Sequence, residues 1–267
     1  MTENEMVDVT KEVAKEISKD VYNDAGKPIA KPAGELLGLV PRAIKAALSP
    51  VEKWVLQKEY NIEETKRLLE QKLEGISPDL IESPDPHIAV PALQYISYCM
   101  DNDELRDMYA NLLANSMNKV VKNGVHPGFV EIIKQLSPDE ARLLKQFEIE
   151  TIVPTITVRL KNEEGYGINS VKNFTNIGEK ANCEQKMDLN NYFDNLIRLG
   201  LLEKAEMFLR LKPEEYDALK RHPYIVSKIS KMNLSKIEYK TIDYIYSYIA
   251  ITDFGKTFCE ICISDDM

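Results

Sequence analysis

The stretch "DLNNYFDNLIRLGLLEK", residues 188–204, changes period partway through. Leu189, Tyr192, Phe193, Leu196 and Ile197 fall on one face of a helix, spaced i, i+3, i+4, i+7 and i+8. Gly200 then ends the helix, because glycine takes the left-handed turn that closes a helix C-terminus. A strand-like pattern lies upstream. Ile152, Pro154, Ile156, Val158 and Leu160 alternate in "TIVPTITVRLKNEEGYG", which ends in a turn containing Gly165 and Gly167. Downstream, Pro213 opens a helix predicted to run to about Ile229. "KIEYKTIDYIYSYIAI" (236–251) is rich in β-branched and aromatic residues and predicts a hairpin. Thr252 is the expected cap of a last helix, "DFGKTFCEICI".

The first half of the chain reads as helices. Residues 1–33 are polar and form an expected N-terminal segment and linker. "AGELLGLVPRAIKAAL" (33–48) is apolar but interrupted by Glu35, Arg42 and Lys45. Ser49-Pro50 opens a longer helix that ends at Gly75. The prolines of "ISPDLIESPDPHIAVPAL" predict an ordered connection, followed by a helix from about His87 to Met100. "DNDELRDMYANLLANSMNKVV" follows, with Asp101 as expected cap. Leu105, Met108, Tyr109, Leu112 and Leu113 form its apolar stripe, and Asp103, Arg106, Asp107 and Asn111 its polar face. His126-Pro127 begins a short helix, and Ser137-Pro138-Asp139-Glu140 is a capping box that opens the next.

The C-terminal pattern resembles the winged-helix module. A helix ends in Leu-Gly-Leu, strands make the wing, and Ile251-Thr252-Asp253-Phe254-Gly255 enters the next helix. The expected fold is therefore mainly α with a small β component. A helical domain over 34–150 is expected to pack on a winged-helix-like α+β domain over 151–267.

A wider resemblance covers most of residues 84–262. "PDPHIAVPALQYISYCMDNDELRDMYANLLANSMNK", "HPGFVEIIKQLSPDEARLL", "LGLLEK" and "ITDFGKTF" resemble the bacterial abortive infection alpha family. The resemblance implies a part in defence against phage, in which infection leads to death or arrest of the host cell. It carries no active-site motif. Residues 1–33 and the insertion after Gly200 lie outside it.

Chemistry-bearing residues read as structural. His126 lacks partners at metal-ligand spacing and stands where a helix begins. Cys259-x-x-Cys262 lies late in a helix beside Phe254, Phe258 and Ile261. That is the position of packed thiols, since a redox pair sits at a helix N-terminus. Asp101, Asp103 and Glu104 suit a helix start. There is no GxxxxGK[ST], GxSxG or HExxH. No catalytic, cofactor-binding or metal residues are assigned, and a non-enzymatic protein is expected.

Charge is uneven. The net charge is −9 in 267 residues, with 18 Lys/Arg against 26 Asp/Glu in residues 1–150 and 16 against 17 in residues 151–267. The first half repels phosphate backbones. The candidate contact residues for nucleic acid or a protein partner are Lys186, Asn190, Asn191, Asn195 and Arg198, but Asp188 and Asp194 interleave them. Leu36, Leu37, Leu39, Val40, Ile44 and Leu48 are candidates for peripheral membrane contact, with Arg42 and Lys45 meeting headgroups. The N-terminal residues have no secretory h-region, and the four cysteines form no disulfide framework, so a cytoplasmic setting is expected. Protein contact or self-association is favoured as the mode of action. A winged-helix DNA-binding regulator and a membrane-perturbing effector are the alternatives.

Overall fold

The computed structural model describes residues 59–206, 213–231 and 241–264. Segment 1–33, the helix start at Ser49-Pro50 and the membrane candidates Leu36, Leu37, Leu39, Val40, Ile44 and Leu48 lie outside the described residues. The protein is mainly helical with one small antiparallel sheet. It divides into two compact units, residues 1–136 with 260–267, and residues 137–259.

The first unit contains α1 (Glu59–Lys72), α2 (Pro86–Ile96), α3 (Asp103–Met117) and α4 (Gly128–Lys134). Helix α3 packs on the other three. Its cap is Asn102, one residue after the expected Asp101. The Asn102 side chain accepts from the Leu105 N–H at 3.0 Å, and its carbonyl receives the first helical bond from Arg106 at 3.0 Å. Met108, Tyr109, Leu112 and Leu113 are buried as the stripe requires, whereas Leu105 is only half-buried.

The expected polar face does not survive past the first two turns. Every residue of α3 from Met108 to Met117 is buried, Asn111 included. Asn111 Nδ2 donates to the carbonyls of Cys262 and Ile263, both at 3.3 Å, and Asn115 Nδ2 to that of Ile261 at 2.8 Å. These carbonyls close the last helix of the chain. A helix end leaves its final carbonyls without intrahelical donors, and two asparagines one turn apart supply them. The two residues are polar because of that far segment.

The proline-rich connection is ordered because α3 holds it. Glu82 N–H donates to Met117 O at 2.8 Å and Lys119 N–H to Leu80 O at 2.9 Å, around the single bridge Ile81–Asn118. Helix α2 stops at Ile96, short of the expected Met100.

The second unit contains α5 (Pro138–Ile149), β1 (Ile152–Lys161), β2 (Gly167–Phe174), α6 (Ile177–Lys180), α7 (Asn190–Arg198), β3 (Leu202–Glu206), α8 (Pro213–Lys220), α9 (Pro223–Lys231), β4 (Thr241–Ile251) and the start of α10 (Asp253–Cys262). The strand order is β2-β1-β4-β3, antiparallel throughout. The expected hairpin over 236–251 is corrected for its described part. Residues 241–251 form one long strand, paired with β1 on one side and β3 on the other. Its aromatic and β-branched composition marks a strand, but a hairpin needs a turn, and 241–251 holds no Gly, Pro, Asn or Asp pair to make one.

Pro154 lies in a central strand, where its missing N–H would ordinarily cost a ladder bond. It pairs only with Tyr248, because β2 ends its pairing at Ile156. Edge strand β2 carries two register shifts against β1, and Asn173 beside one of them has φ 46°. Such bulges bend an edge and discourage stray pairing.

Each face of the sheet has a cover. On one, Ile156, Val158, Val171 and Phe174 cluster with Tyr216 and Leu219 of α8 and Ile225 of α9. The expected single helix from Pro213 is in fact this pair, broken at Arg221-His222 because Pro223 disfavours helical backbone in the residue before it. On the other face, a buried hydrogen bond of 2.7 Å joins Thr155 to Ser247. Helix α5 packs against β4, with Leu143, Leu144 and Phe147 buried.

A candidate interaction surface on α7

The site is built outward from the two helix starts that flank it. Ser137 and Glu140 form the expected capping box. Ser137 N–H donates to Glu140 Oε2 at 2.6 Å, and Glu140 N–H to Ser137 Oγ at 3.3 Å. The carboxylates of this motif then reach α7 and the loop before it, 45 to 55 residues downstream. Asp139, 4% exposed, accepts the backbone N–H of Glu184 at 2.8 Å and of Gln185 at 2.9 Å, the Tyr192 hydroxyl at 3.2 Å and Arg142 at 2.8 Å. Burial pushes its carboxyl up. The two backbone donors, Tyr192 and Arg142 outweigh burial and hold it below the usual carboxylate range. Glu140 Oε1 accepts from Asn195 Nδ2 at 2.7 Å.

The C-terminal end of α7 is closed as the sequence predicts. Gly200 has φ 76°, its N–H donates to Ile197 O, and Leu201 N–H reaches Leu196 O at 3.0 Å. Thr252 Oγ1 donates to Gly200 O at 2.6 Å and accepts the Gly255 N–H at 2.8 Å. A side chain at Gly255 would overlap the Leu201 carbonyl, so "LGL" and "ITDFG" form one joint across β3 and β4.

The five candidate contact residues fare differently. Asn190 is spent within the fold. It accepts from Asn173 Nδ2 at 2.8 Å and donates to Lys172 O at 3.2 Å and Asp188 Oδ1 at 2.8 Å. Lys204 of β3 donates to Asn173 Oδ1 at 2.6 Å, so this chain of side chains ties edge strand β3 to edge strand β2 and curls the sheet. Asn195 is held between Glu140 and Arg198, whose guanidinium donates to Asn195 Oδ1 at 2.6 Å. Lys186 is exposed in the loop before the helix, and Asn191 is exposed on it. The outward stripe of α7 is therefore Asn191, Asp194 and Arg198, with one charge of each sign.

Sequence reading identified the cap but not the second role of Asp139 and Glu140. It also missed Asn173. The positive φ at Asn173 belongs to a bulge that no short-range pattern announces.

The other candidates take structural places. His126 Nδ1 accepts the Gly128 N–H at 3.0 Å at the start of α4, and a Cβ at Gly128 would crowd that ring. His222 meets Glu179 at 3.0 Å. Cys183, Cys259 and Cys262 are buried, and burial raises the Cys183 thiol to about 11. Among the described residues no three His, Cys, Asp or Glu side chains gather to hold a metal ion, and no helix is long and apolar enough to cross a membrane.

Residues 57–262 match the family described as abortive infection alpha. No curated protein matches the chain. A solved structure of an uncharacterized protein from the marine bacterium Alcanivorax borkumensis SK2 is similar over 51% of this chain and 92% of its own, at 16% identity and a TM-score of 0.33.

Proposed function

The chain belongs to the abortive infection alpha family, and from that membership we propose that it is a non-enzymatic, cytoplasmic component of phage defence that works through protein contacts. The family points to a role in abortive infection. One observation carries the mode of action: the polar groups that stand out in the sequence are consumed inside the fold. Asp139 accepts four hydrogen bonds, Glu140 and Asn195 hold each other, and the His126 ring accepts the Gly128 N–H at the start of α4. An active site keeps such groups available to a substrate.

The test is phage challenge of bacteria expressing the protein, scored for phage yield and host survival. Asn191→Ala with Asp194→Ala, which leave the Arg198–Asn195 hydrogen bond in place, are expected to weaken protection while leaving the thermal midpoint unchanged. Full protection by that variant would remove α7 as the contact surface.

The DNA-binding alternative has a specific feature in its favour. A helix, a Leu-Gly-Leu turn, paired strands β3 and β4 and the Thr252-capped α10 resemble the winged-helix order, with α8 and α9 inserted between the two strands. Its weakness is the recognition helix. Asn190 and Asn195 are engaged internally, and the remaining stripe has no excess of positive charge, which specific DNA binders carry. Nanomolar binding to a defined duplex at physiological salt, weakened by Arg198→Ala, would establish this reading in place of the first.

A further inference from the structure

Asn102, Asn111, Asn115, Asn118, Asn190 and Asn195 all engage their side chains in hydrogen bonds. Asn123 differs from them. It is exposed, and its side chain makes no hydrogen bond among the described residues. It is also followed by glycine, and Asn123-Gly124 is the one Asn-Gly pair in the 267 residues.

The pair lies in the short turn Lys122–Gly124 between α3 and α4. The turn is anchored on both sides of Asn123. Lys122 N–H donates to Asn118 O at 2.9 Å, and the Lys122 ammonium pairs with the Glu82 carboxylate. Val125 is buried, and its N–H donates to Lys122 O at 3.0 Å. Asn123 and Gly124 themselves face water. Gly124 N–H donates to Val121 O at 2.9 Å. A lone bond of this tight i→i+3 kind, open to water, belongs to the contacts that break far below global unfolding. The fold does not require glycine at residue 124. A Cβ there would lie 3.6 Å from Ile261 Cδ1, an ordinary contact.

We propose that Asn123 is a site of spontaneous deamidation. Once the Gly124 N–H leaves Val121 O, the Gly124 nitrogen reaches the side-chain carbonyl carbon of Asn123. A bond forms from Gly124 N to Asn123 Cγ, and the Cγ–Nδ2 bond breaks. Ammonia departs with the proton that the Gly124 nitrogen gives up. Water then opens the five-membered succinimide at either of its carbonyls. One opening yields aspartate, and the other yields isoaspartate, whose main chain runs through the former side chain. Glycine favours closure of the ring because it has no Cβ to obstruct the attacking nitrogen. Both products add one negative charge beside Lys122. Isoaspartate also lengthens the main chain between Lys122 and Val125, so their hydrogen bond no longer fits the turn.

The test incubates the full chain at mildly alkaline pH and follows it over days by peptide mass spectrometry that separates aspartate from isoaspartate. Conversion of amide to acid is expected at residue 123 ahead of every other asparagine, with isoaspartate among the products. The folded chain is expected to react at least about tenfold more slowly than the chain in denaturant, because the turn must open first. Asn123→Gln is expected to abolish conversion at that position. Gly124→Ala, which the space beside Ile261 admits, is expected to slow it several-fold with an unchanged thermal midpoint. Residue 123 still intact in the folded chain after the denatured chain has converted overturns the proposal, because the turn would then not open. So does earlier conversion elsewhere, the exposed Asn169 before Ser170 included. Equal rates in Gly124→Ala and the parent also overturn it, since attack would then not come from the Gly124 nitrogen.

Discussion

Helices α3 and α7 both carry asparagines where a sequence reader looks for function, and the two units use them differently. In α3, Asn111 and Asn115 are buried and supply donors to the closing carbonyls of the last helix. In α7, Asn190 and Asn195 lie half-exposed and tie neighbouring segments to the helix. In neither helix do these amides face outward for a ligand. The difference lies in cost. A donor removed from the interior strands buried carbonyls away from water, whereas a donor removed at the rim lets water replace it.

The largest expected effect tests the burial of α3. Leu112 is fully buried at the centre of that helix. Leu112→Ala is expected to lower stability by about 2–5 kcal/mol in urea unfolding. An unchanged midpoint would break the contrast, because α3 would then not be interior.

Next comes Asn115→Ala, which leaves the Ile261 carbonyl without its donor. A loss of about 1–3 kcal/mol is expected. Asn190→Ala, read in the same unfolding assay, is expected to cost less. Equal losses would mean that exposure does not separate the two helices.

Asp139 sharpens the comparison through pH. Its carboxyl is held below the ordinary value, so folding favours the ionised form. The stability it contributes is present above the ordinary carboxylate pKa and is lost as pH falls through the lower folded value. Asp139→Asn is expected to flatten the acid limb of the stability curve and to lower stability at neutral pH. A variant whose stability falls with acid as steeply as the parent's would assign that limb to other carboxylates.

The smallest effect belongs to Asn191, exposed on the outward stripe of α7. Asn191→Ala is expected to change stability by no more than about 0.5 kcal/mol. A larger loss would give the stripe a structural duty and weaken its claim as a contact surface.

What the sequence revealed follows the range of each interaction. Ser137 and Glu140 lie three residues apart, and Gly200 sits two residues beyond the helix it ends, so both motifs were legible. The family resemblance was legible for a similar reason: its quoted segments fall within the matched residues 57–262. The polar duty of Asn111 was hidden, because its partners are about 150 residues away and helical spacing alone placed it on a solvent face. The position of β4 between β1 and β3 was hidden likewise, since strand order depends on pairings that no local pattern encodes. Pro223 is a different case. It is a local signal for the break between α8 and α9, which the expectation of one helix from Pro213 to about Ile229 passed over.

The joint at Gly200, Leu201, Thr252 and Gly255 has a practical consequence. It fastens β3 to β4 at one end, while the β1–β2 turn lies at the opposite end, where Lys161 pairs with Thr241. Each doubling in length of a flexible loop costs only about 0.6 kcal/mol. The exposed Glu163-Glu164 in that turn are therefore a natural place to splice in a reporter domain. A fluorescent protein inserted there would follow the molecule in living bacteria during infection while the sheet keeps its registration.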